Sequence, residues 1–198
     1  MDIRDALAGD AAAASEVIRR SISALCLADH EGDEAILSRW LNNKTPDIVA
    51  SWIAQPRGSF LLAVEDGAIL GVGAVTDAGE ITLNYVSPEV RFRGVSRALL
   101  AALEARARAK GNVRCHLLST ETARRFYRAE GYVETGQPEH KFGSRGGYPM
   151  SKALEQAAPL DVGALWAKLD TMGGRDFFPD GLPEDPPVEP DPRKFFDE

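Results

Sequence analysis

The chain has 198 residues, of which 44% are hydrophobic and 27% charged, and its net charge is −7. This composition is normal for a globular domain with a real core, and no apolar run approaches the ~20 residues that span a bilayer. The start of the chain lacks the basic and apolar regions of a secretory signal, and the spacing of Cys26 and Cys115 argues against a metal site or a disulfide scaffold. We therefore expect a cytoplasmic protein with no membrane segment and two buried thiols.

The negative charge is concentrated at the C-terminal end. Residues 151–198 contain 5 Lys or Arg and 11 Asp or Glu, a net charge of −6, together with seven of the 12 prolines. Residues 1–150 are left with a net charge of −1. This distribution predicts a near-neutral folded part followed by an acidic, proline-rich tail.

The first quarter of the chain is predicted to be helical. Residues 10–27 are rich in alanine, with apolar residues on one side. Residues 29–34 interrupt the pattern, and residues 35–41 form a short second helix. A third helix begins at Thr45, because threonine can cap a helix and Pro46 fits its first turn.

The pattern then changes to apolar and partly β-branched residues, which predict strands at residues 60–65, 68–75 and 80–86. The first two strands are joined by Asp66-Gly67, a strong signal for a two-residue hairpin turn. Connections this short predict an antiparallel meander.

The second half of the chain alternates helices with strands. A helix is predicted over residues 96–110, a strand over 113–119 and a helix from Thr120 to Gly131, and further strands follow at YVETG and GGYPMSKAL. A strand, a crossover helix and another strand lie between residues 80 and 119, so those two strands are predicted to be parallel. The predicted fold class is therefore α/β, with a mixed sheet flanked by helices.

The most informative stretch is the loop that precedes the helix at residue 96. It contains Arg91, Arg93 and Gly94, and Arg97 follows in the first turn. A helix N-terminus presents unpaired backbone N–H groups and roughly half a positive charge, so this pattern is typical of a phosphate-binding cradle. Gly94 permits a close approach because it has no Cβ. The alternative is an ordinary loop with solvated arginines.

Two motifs resemble those of the GNAT superfamily of acetyl-CoA-dependent N-acetyltransferases, over roughly residues 1–154. The segment YVSPEVRFRGVSRALL is similar to the family's acyl-CoA loop, [Q/R]-x-x-G-x-[G/A] after a strand, and TETARRFYRAEGY is similar to its N-x-x-A-x-x-F-Y-x-x-x-G-[FY]. Ser96 stands where the family has Gly or Ala, and Thr120 where it has Asn. The loop alone is a weak signal, but the two motifs at this spacing are specific.

The resemblance implies the GNAT fold, a mostly antiparallel mixed sheet in which one parallel strand pair splays apart, and acetyl-CoA as the acetyl donor. The strand end at residues 84–87 would pair with the pantetheine arm, backbone N–H groups of residues 93–97 would face the pyrophosphate, and an N–H near Val86 would polarise the thioester carbonyl. The cofactor-binding residues implied in this way are Tyr85, Val86, Arg91, Arg93, Gly94, Val95, Ser96, Arg97, Thr120 and Tyr127.

For catalysis, the resemblance implies that Tyr127 assists the leaving thiolate, because it matches a tyrosine assigned as general acid in many members. A tyrosine titrates near ~10 and a thiol near ~8.5, so full transfer is uphill by roughly 2 kcal/mol and a hydrogen bond is as plausible. The alternative is that Tyr127 only packs in the core. The general base is left open between Glu80, the cluster Asp29-His30-Glu31 and no single residue.

The resemblance implies a small-molecule or protein amine as acceptor, with residues 25–46 lining its side of the site. An acidic rim suited to a cationic amine is one interpretation of that segment, and a solvated surface is the other; its acids are Asp29, Glu31, Asp33 and Glu34. Residues 1–150 lack the basic excess typical of RNA-binding proteins, so nucleic acid is not an expected partner. Nine arginines between residues 91 and 128 nevertheless leave open an acetyltransferase toxin acting on aminoacyl-tRNA.

The tail, residues 155–198, extends beyond the expected catalytic domain of residues 1–154. Asp161 can cap a short amphipathic helix that ends before Gly173, and an acidic strip with several aromatics follows. The segment LWAKLDTMGGRDFFPDGLPEDPP resembles the C-terminal toxin-wrapping segment of small antitoxins of the VapB kind. The tail is therefore expected to dock on its own domain, on a sister subunit of a homodimer or on another protein, although disorder also fits its composition. An interaction protein whose tail neutralises a toxin is the alternative to an enzyme.

Overall fold

A computed structural model of the protein describes residues 1–139 and 146–155, together with Ala167, Lys168 and Thr171. These residues form a seven-stranded sheet of order β1-β2-β3-β4-β5-β7-β6. The strands are β1 (Asp2–Asp5), β2 (Gly58–Glu65), β3 (Ala68–Thr76), β4 (Glu80–Val86), β5 (Arg114–Ser119), β6 (Val133–Glu134) and β7 (Tyr148–Ala153). Strand β4 therefore lies in the middle of the sheet.

Six α-helices flank this sheet within the described part of the chain. They are α1 (Ala11–Leu25), α2 (Leu27–His30), α3 (Glu34–Leu41), α4 (Pro46–Ile53), α5 (Val95–Ala109) and α6 (Glu121–Ala129). The predicted cap of α4 is confirmed, because the Thr45 hydroxyl accepts a hydrogen bond from the Ile48 N–H at 3.4 Å. The predicted hairpin turn is confirmed as well, since Asp66 and Gly67 both have positive φ, at 51° and 80°.

The parallel pair predicted from the crossover is formed by β4 and β5, and all other strand pairs are antiparallel. Its register contains only two residue pairs, Glu80 with His116 and Ile81 with Leu117. On its other side, β4 remains paired with β3 as far as Val86, with a register shift that leaves Thr82 without an opposite residue. A bulge bends the strand that carries it, so β4 leaves β5 immediately after Ile81.

Two hydrophobic cores cover the two faces of the sheet. Leu61 and Ala63 of β2 pack in the core that contains α5, whereas Phe60 and Leu62 pack in the core that contains α1, Trp40 and Val49. This alternation follows from the two-residue period of a strand. The first four helices therefore cover one face, and α5 covers the other.

Helix α5 packs unusually closely against β3. A Cβ at Gly71 would lie 2.8 Å from the Leu99 Cδ1, and one at Gly73 would lie 3.0 Å from the Leu103 Cδ1. Such distances are below ordinary van der Waals contact, so α5 can pack this closely on β3 only because both residues are glycine. The close contact holds the N-terminus of α5 beside the end of β4.

The structure differs from the sequence-based prediction at two points near the N-terminus. Strand β1 was not predicted, because Ile3 is its one apolar residue and the strand exists by pairing with β2. The helix predicted over residues 10–27 ends at Leu25, and a short second helix runs from Leu27 to His30 after a break at Cys26.

The predictions for residues beyond 155 remain predictions. The tail helix from Asp161 and the antitoxin-like segment lie outside the described residues, apart from Ala167, Lys168 and Thr171. The domain boundary between residues 154 and 155 also stays a prediction. Of the helices that are described, none is both long and apolar enough to cross a membrane.

Candidate active site

A cleft of about 430 Å³ opens where β4 separates from β5. We call it the cradle cleft; β4, the following loop, α5 and α6 contribute its walls. It brings together all but one of the residues predicted to bind the cofactor, namely Tyr85, Val86, Arg91, Gly94, Val95, Ser96, Arg97, Thr120 and Tyr127. Arg93 belongs to the same loop but does not line the cleft.

The N-terminus of α5 has the backbone geometry that the predicted cradle requires. Gly94 is the N-cap residue with φ at 81°, and the first hydrogen bond of the helix runs from the Ala98 N–H to the Gly94 carbonyl at 3.0 Å. The backbone N–H groups of Val95, Ser96 and Arg97 have no backbone acceptor among the described residues. Three adjacent unpaired donors at a helix N-terminus are an anion-binding arrangement.

The loop before Gly94 is conformationally strained. Phe92 has φ at 65°, and its side chain is 91% exposed at the edge of the cleft. The left-handed region costs an L-residue with a Cβ roughly 1–2 kcal/mol. The guanidinium carbon of Arg91 lies 4.6 Å from the centre of the Phe92 ring, a cation–π distance.

Two of the three arginines around Gly94 form ion pairs. Arg93 Nη2 lies 2.8 Å from a Glu65 carboxylate oxygen, and Arg97 Nη2 lies 2.7 Å from a Glu130 carboxylate oxygen. The hydrogen bond from Arg93 lowers the pKa of Glu65, and the hydrogen bond to Glu130 raises the pKa of Arg97. Because these arginine side chains are more than half exposed, an anion in the cradle can compete for them.

The splayed edge of β4 carries backbone groups that face away from β3. The Ser87 N–H donates to the Leu70 carbonyl at 2.8 Å, on the β3 side. Successive N–H groups of a strand point to opposite edges, so the Val86 N–H faces the side on which pairing with β5 has ended. This is the position expected for a donor to a ligand carbonyl.

Asn84 is a cleft residue whose side chain the sequence did not single out. Its Nδ2 donates to the Ser96 carbonyl at 3.4 Å, which connects β4 to the first turn of α5. Its Oδ1 is buried and has no hydrogen-bond partner among the described residues. A buried acceptor of this kind indicates a binding partner that supplies an N–H or O–H.

Tyr127 lies in the wall of the cradle cleft and is also part of the core. It makes edge contacts with Phe126 and Tyr132, with ring centroids 5.1 Å and 5.5 Å away. Burial raises the pKa of Tyr127 to about 12, and the neighbouring Asn84 side chain acts in the opposite direction. The phenol is therefore neutral at ordinary pH. Tyr127 can both pack in the core and present its hydroxyl to the cleft, so the two predicted roles are compatible.

Helix α6, which carries Tyr127, has two caps at its N-terminus. The Thr120 hydroxyl accepts from the Ala123 N–H at 3.1 Å. The buried Asp29 carboxylate, from α2, accepts from the N–H groups of Glu121 at 2.7 Å and Thr122 at 3.3 Å. Asp29 was considered as a general base, but this carboxylate is instead engaged in holding α6.

His30, the neighbour of Asp29, is equally buried at 2% exposure. Its Nδ1 accepts from the Gly32 N–H at 3.2 Å, and its Nε2 has no hydrogen-bond partner among the described residues. Neither Asp29 nor His30 lines a described cleft. The position of this pair therefore speaks against a direct role in proton transfer.

A second cleft, of about 370 Å³, adjoins the first. We call it the tryptophan cleft, since Trp40 and Trp52 line it together with Lys44, Arg57 and Glu80. Glu80 lines this cleft and not the cradle cleft. The two clefts share one wall, which consists of Ile81, Thr82, Leu83, Tyr85, Leu118 and Thr120. Two ligands could therefore meet across the bulged part of β4.

Of the two interpretations of residues 25–46, an acidic rim and a solvated surface, the described residues favour the second. None of the four acids predicted to form that rim lines either cleft. Asp29 caps α6, and the Asp33 carboxylate caps α3 by accepting from the Ala35 and Ile36 N–H groups at 2.8 Å and 3.1 Å. Short carboxylates near helix starts are commonly used as caps. The sequence alone does not distinguish an acid that caps a helix from one that faces a substrate.

The cradle fits the diphosphate of a coenzyme, because three free N–H donors, a left-handed glycine and nearby arginines converge beside a cleft of ligand size. A model of the acetyltransferase (GNAT) domain matches residues 26–154. The chain therefore belongs to the GNAT family of N-acetyltransferases, as its two motifs predicted.

Two curated relatives are similar to parts of the chain. An amino-acid acetyltransferase of Azotobacter vinelandii is 36% identical over 84 residues, which cover 40% of this chain and 19% of that protein. An IAA acetyltransferase of Azospirillum brasilense is 32% identical over 113 residues, which cover 52% of this chain and 71% of that protein. The similarity thus spans about a fifth of the first relative and most of the second.

Solved structures agree with the fold. A GCN5-related N-acetyltransferase from Rhodopseudomonas palustris superposes with a TM-score of 0.70 at 24% identity, over 77% of this chain and 95% of that chain. The acetyltransferase yncA from Salmonella typhimurium, solved with its cofactor acetyl-CoA, has a TM-score of 0.60 at 24% identity, over 81% and 98% of the two chains. These likenesses confirm the predicted GNAT fold.

Proposed function

We propose that the protein is an acetyl-CoA-dependent N-acetyltransferase that transfers the acetyl group to a primary amine by direct attack on the thioester in a ternary complex. The observation that carries this proposal is the pair of adjoining clefts along β4, one with a diphosphate cradle and one with a carboxylate at Glu80. Acetyl-CoA is the donor in this family, and it is bound in the Salmonella structure. The thioester would lie at the shared wall.

The donor would be held mainly by backbone groups. The N–H groups of Val95, Ser96 and Arg97 would bind the diphosphate, and the free edge of β4 would pair with the pantetheine amides. Side-chain hydrogen bonds to a charged ligand contribute about 1.5–3 kcal/mol each, so Arg91 and Arg97 would add affinity once Arg97 leaves Glu130. The hydroxyl of Ser96, which the usual glycine or alanine lacks, offers one further donor.

The Val86 N–H would polarise the thioester carbonyl. It points to the splayed side of β4, where an oxyanion could form in the cradle cleft that Val86 lines. Removal of one donor of this kind typically lowers the rate by 10²–10³. Its contribution is preorganised, because β4 remains fixed to β3 on the other edge up to this residue.

Tyr127 would stabilise the leaving thiolate by donating a hydrogen bond. With the phenol pKa raised to about 12 and a thiol near ~8.5, complete proton transfer to the thiolate is uphill by about 5 kcal/mol. Partial donation needs no such transfer and still stabilises the charge that develops on sulfur. The buried phenol is therefore better suited to hydrogen bonding than to acting as a full general acid.

Glu80 would accept the proton of the attacking amine, directly or through a water molecule. It opens β4 at the tryptophan cleft, and its N–H is held by the Thr76 hydroxyl at 3.1 Å. Its carboxylate would also attract the ammonium form of the acceptor. The alternative is a reaction without a single base, in which the amine loses its proton to solvent. A Glu80→Gln variant would retain its rate in that alternative and would lose it if Glu80 is the base.

The test is turnover by the purified full chain, with acetyl-CoA, a panel of amines and a free-thiol readout. Acetyl-CoA at 100 times its Kd should also stabilise the protein by ~2.7 kcal/mol in thermal unfolding. The absence of both stabilisation and thiol release would contradict the proposal. Amino acids belong in the panel, because one of the two curated relatives is an amino-acid acetyltransferase.

A further inference from the structure

Two buried polar atoms in the wall of the cradle cleft lack a hydrogen-bond partner among the described residues. They are Oδ1 of Asn84, on β4, and Oγ1 of Thr122, in the first turn of α6. Within the described part of the chain, His30 Nε2 and Arg108 Nε share this property, but neither of those residues lines a described cleft. A buried polar group without a partner costs free energy, so two of them in one cleft indicate a ligand that supplies the missing partners.

The surroundings of both side chains hold their free atoms in place. The Asn84 Nδ2 donates to the Ser96 carbonyl at 3.4 Å. Because a carbonyl can only accept, the amide nitrogen has to face Ser96 and the amide oxygen has to face away from it. The Thr122 N–H donates to the Asp29 carboxylate at 3.3 Å, which fixes the helix turn that carries the hydroxyl. The two free atoms are therefore preorganised on two different walls of the cleft.

The chemistry of the two free atoms defines the ligand group that matches them. The amide oxygen of Asn84 can only accept a hydrogen bond, whereas the hydroxyl of Thr122 can donate or accept. A secondary amide offers one N–H and one C=O, so it can satisfy both atoms together without bringing a charge. The acetyl donor proposed above carries secondary amides along its pantetheine arm, and one of them is separated from the sulfur by only a short ethylene linker.

Both residues are linked to Tyr127, which lines the same cleft. Thr122 belongs to the same helix as Tyr127. The Asn84 side chain contacts the phenol, because burial raises the pKa of Tyr127 and the interaction with Asn84 opposes that rise. A ligand amide bound between Asn84 and Thr122 would therefore bring a sulfur atom close to its own end towards the Tyr127 hydroxyl.

We propose, on the basis of the function proposed above, that Asn84 and Thr122 bind the donor amide nearest to the sulfur and thereby position the thioester against Tyr127. The amide N–H would donate to the Asn84 Oδ1, and the amide carbonyl would accept from the Thr122 hydroxyl. The cradle at α5 would bind the diphosphate, and this side-chain pair would set how far the arm enters the cleft. Without the donor, both atoms remain buried and unpaired.

The first experiment measures the stability of the free protein by urea denaturation. Valine has the shape of threonine without the hydroxyl, so Thr122→Val should leave the urea midpoint unchanged or raise it, because no hydrogen bond is lost. Thr45→Val is the matched control, since the Thr45 hydroxyl accepts from the Ile48 N–H at the start of α4 and its loss should lower the midpoint. An equal fall in both variants would mean that the Thr122 hydroxyl is satisfied without a ligand, and would overturn the proposal.

The second experiment measures binding by calorimetry with two ligands. CoA has the pantetheine arm, whereas 3′-phospho-ADP has the same nucleotide and diphosphate without the arm. Thr122→Val and Asn84→Leu should each raise the Kd of CoA about tenfold, the size expected for one lost hydrogen bond, and leave the Kd of 3′-phospho-ADP unchanged. Thr122→Ser keeps the hydroxyl and should bind CoA as the wild type does. Equal weakening of both ligands would assign the two side chains to the cradle and refute the arm contact.

The third experiment tests the positioning of the thioester with the amine of the panel that turns over fastest. At saturating acetyl-CoA, kcat should fall in Thr122→Val and return in Thr122→Ser, because a misplaced thioester reacts slowly even when it is bound. In a Tyr127→Phe background the same substitution should lower kcat much less, since the group that meets the sulfur is already removed. A fall of the same size in both backgrounds would rule out the positioning role.

These readouts separate the failure of this inference from the failure of the proposed function. If the wild type binds neither CoA nor 3′-phospho-ADP and releases no thiol from acetyl-CoA, the acetyltransferase proposal fails and this inference fails with it. If the wild type binds CoA and Thr122→Val binds it equally well, the inference alone fails and the enzyme proposal stands. If Asn84→Leu does not fold, the comparison of Thr122→Val with Thr122→Ser decides.

Discussion

The carboxylate of Asp29 accepts a hydrogen bond from the backbone N–H of Glu121 at 2.7 Å, across 92 positions of sequence. The same carboxylate reaches the next N–H, that of Thr122. The bond ties the short helix α2 on one side of the molecule to α6, the helix that carries Tyr127. A residue that looked like a candidate base thus becomes a positioning residue for the candidate acid.

Replacement of Asp29 by alanine should lower both stability and turnover. Two N–H groups lose their acceptor, at a cost of about 1–3 kcal/mol in the free energy of unfolding, and α6 is free to shift Tyr127. Urea denaturation measures the first effect and kcat the second. Asp33→Ala is the matched control, because Asp33 also caps a helix but lies on α3. It should lower stability and leave kcat unchanged, and a similar fall of kcat in both variants would contradict the positioning role.

The conformation of Gly94 predicts a specific loss of acetyl-CoA binding in Gly94→Ala. Gly94 has φ at 81° and Gly32 has φ at 77°, and a Cβ at either position would meet no described atom within 4 Å. Alanine at each site should therefore cost a similar ~1–2 kcal/mol of backbone strain. Calorimetry should give an acetyl-CoA Kd raised about tenfold or more for Gly94→Ala only, and an unchanged Kd there would refute the cradle.

The raised pKa of Tyr127 predicts how the reaction responds to pH. Because the phenol stays protonated up to about pH 12, Tyr127→Phe should lower kcat without changing the shape of the pH profile below pH 10. The acetyl-CoA Kd should stay the same, since the hydroxyl acts on the thiolate. A limb of the wild-type profile below pH 10 that disappears in Tyr127→Phe would mean that the tyrosine titrates during catalysis.

The same residue gives a prediction for stability. The folded-state pKa of about 12 lies above the unfolded value near ~10, so the folded protein holds this proton more tightly. The resulting stabilisation is complete below pH 10 and is lost as the pH rises through 12. The free energy of unfolding of the wild type should therefore fall, relative to Tyr127→Phe, between pH 10 and 12. Parallel curves for the two proteins would contradict the burial of the phenol.

The ion pair between Arg97 and Glu130 predicts that removal of the Glu130 carboxylate will strengthen the binding of acetyl-CoA. Arg97 must leave Glu130, or share its guanidinium, to reach a diphosphate at the cradle. Glu130→Gln should therefore lower the acetyl-CoA Kd by a few-fold, while Arg97→Gln raises it, because exposed pairs are worth about 0–1 kcal/mol. Calorimetry at two salt concentrations measures both effects. Weaker binding by Glu130→Gln would show that the pair instead holds Arg97 in its binding position.

Local patterns predicted most of the secondary structure of residues 1–155. These patterns are local signals that involve only a few neighbouring residues, so they can be recognised in the sequence alone. They include the alternation of apolar and polar residues, the Asp66-Gly67 turn and the caps at Thr45 and Thr120. Strand β1 was not predicted, since a segment with one apolar residue shows no hydrophobic periodicity. Its existence depends on the edge of β2, which lies more than fifty positions away.

Most residues that line the cradle cleft were also accessible from sequence. Gly94, the arginines and the position of Tyr127 follow from motifs in which the loop and the next helix supply the contacts themselves. The lining of the tryptophan cleft was not accessible, because Lys44, Arg57 and Glu80 lie far apart in the sequence and come together only in the folded sheet. The charges between residues 25 and 46 left an acidic rim and a solvated surface open, and two of those acids are helix caps.

The sequence by itself determined the family and the loop of glycine and arginines before α5, because both depend on residues that are neighbours along the chain. Only the tertiary structure decided where β4 leaves β5, which carboxylates remain available to a substrate and which charges face the second cleft. Those properties depend on pairs such as Asp29 with Glu121, whose interaction exists only after the sheet and both helix layers have packed.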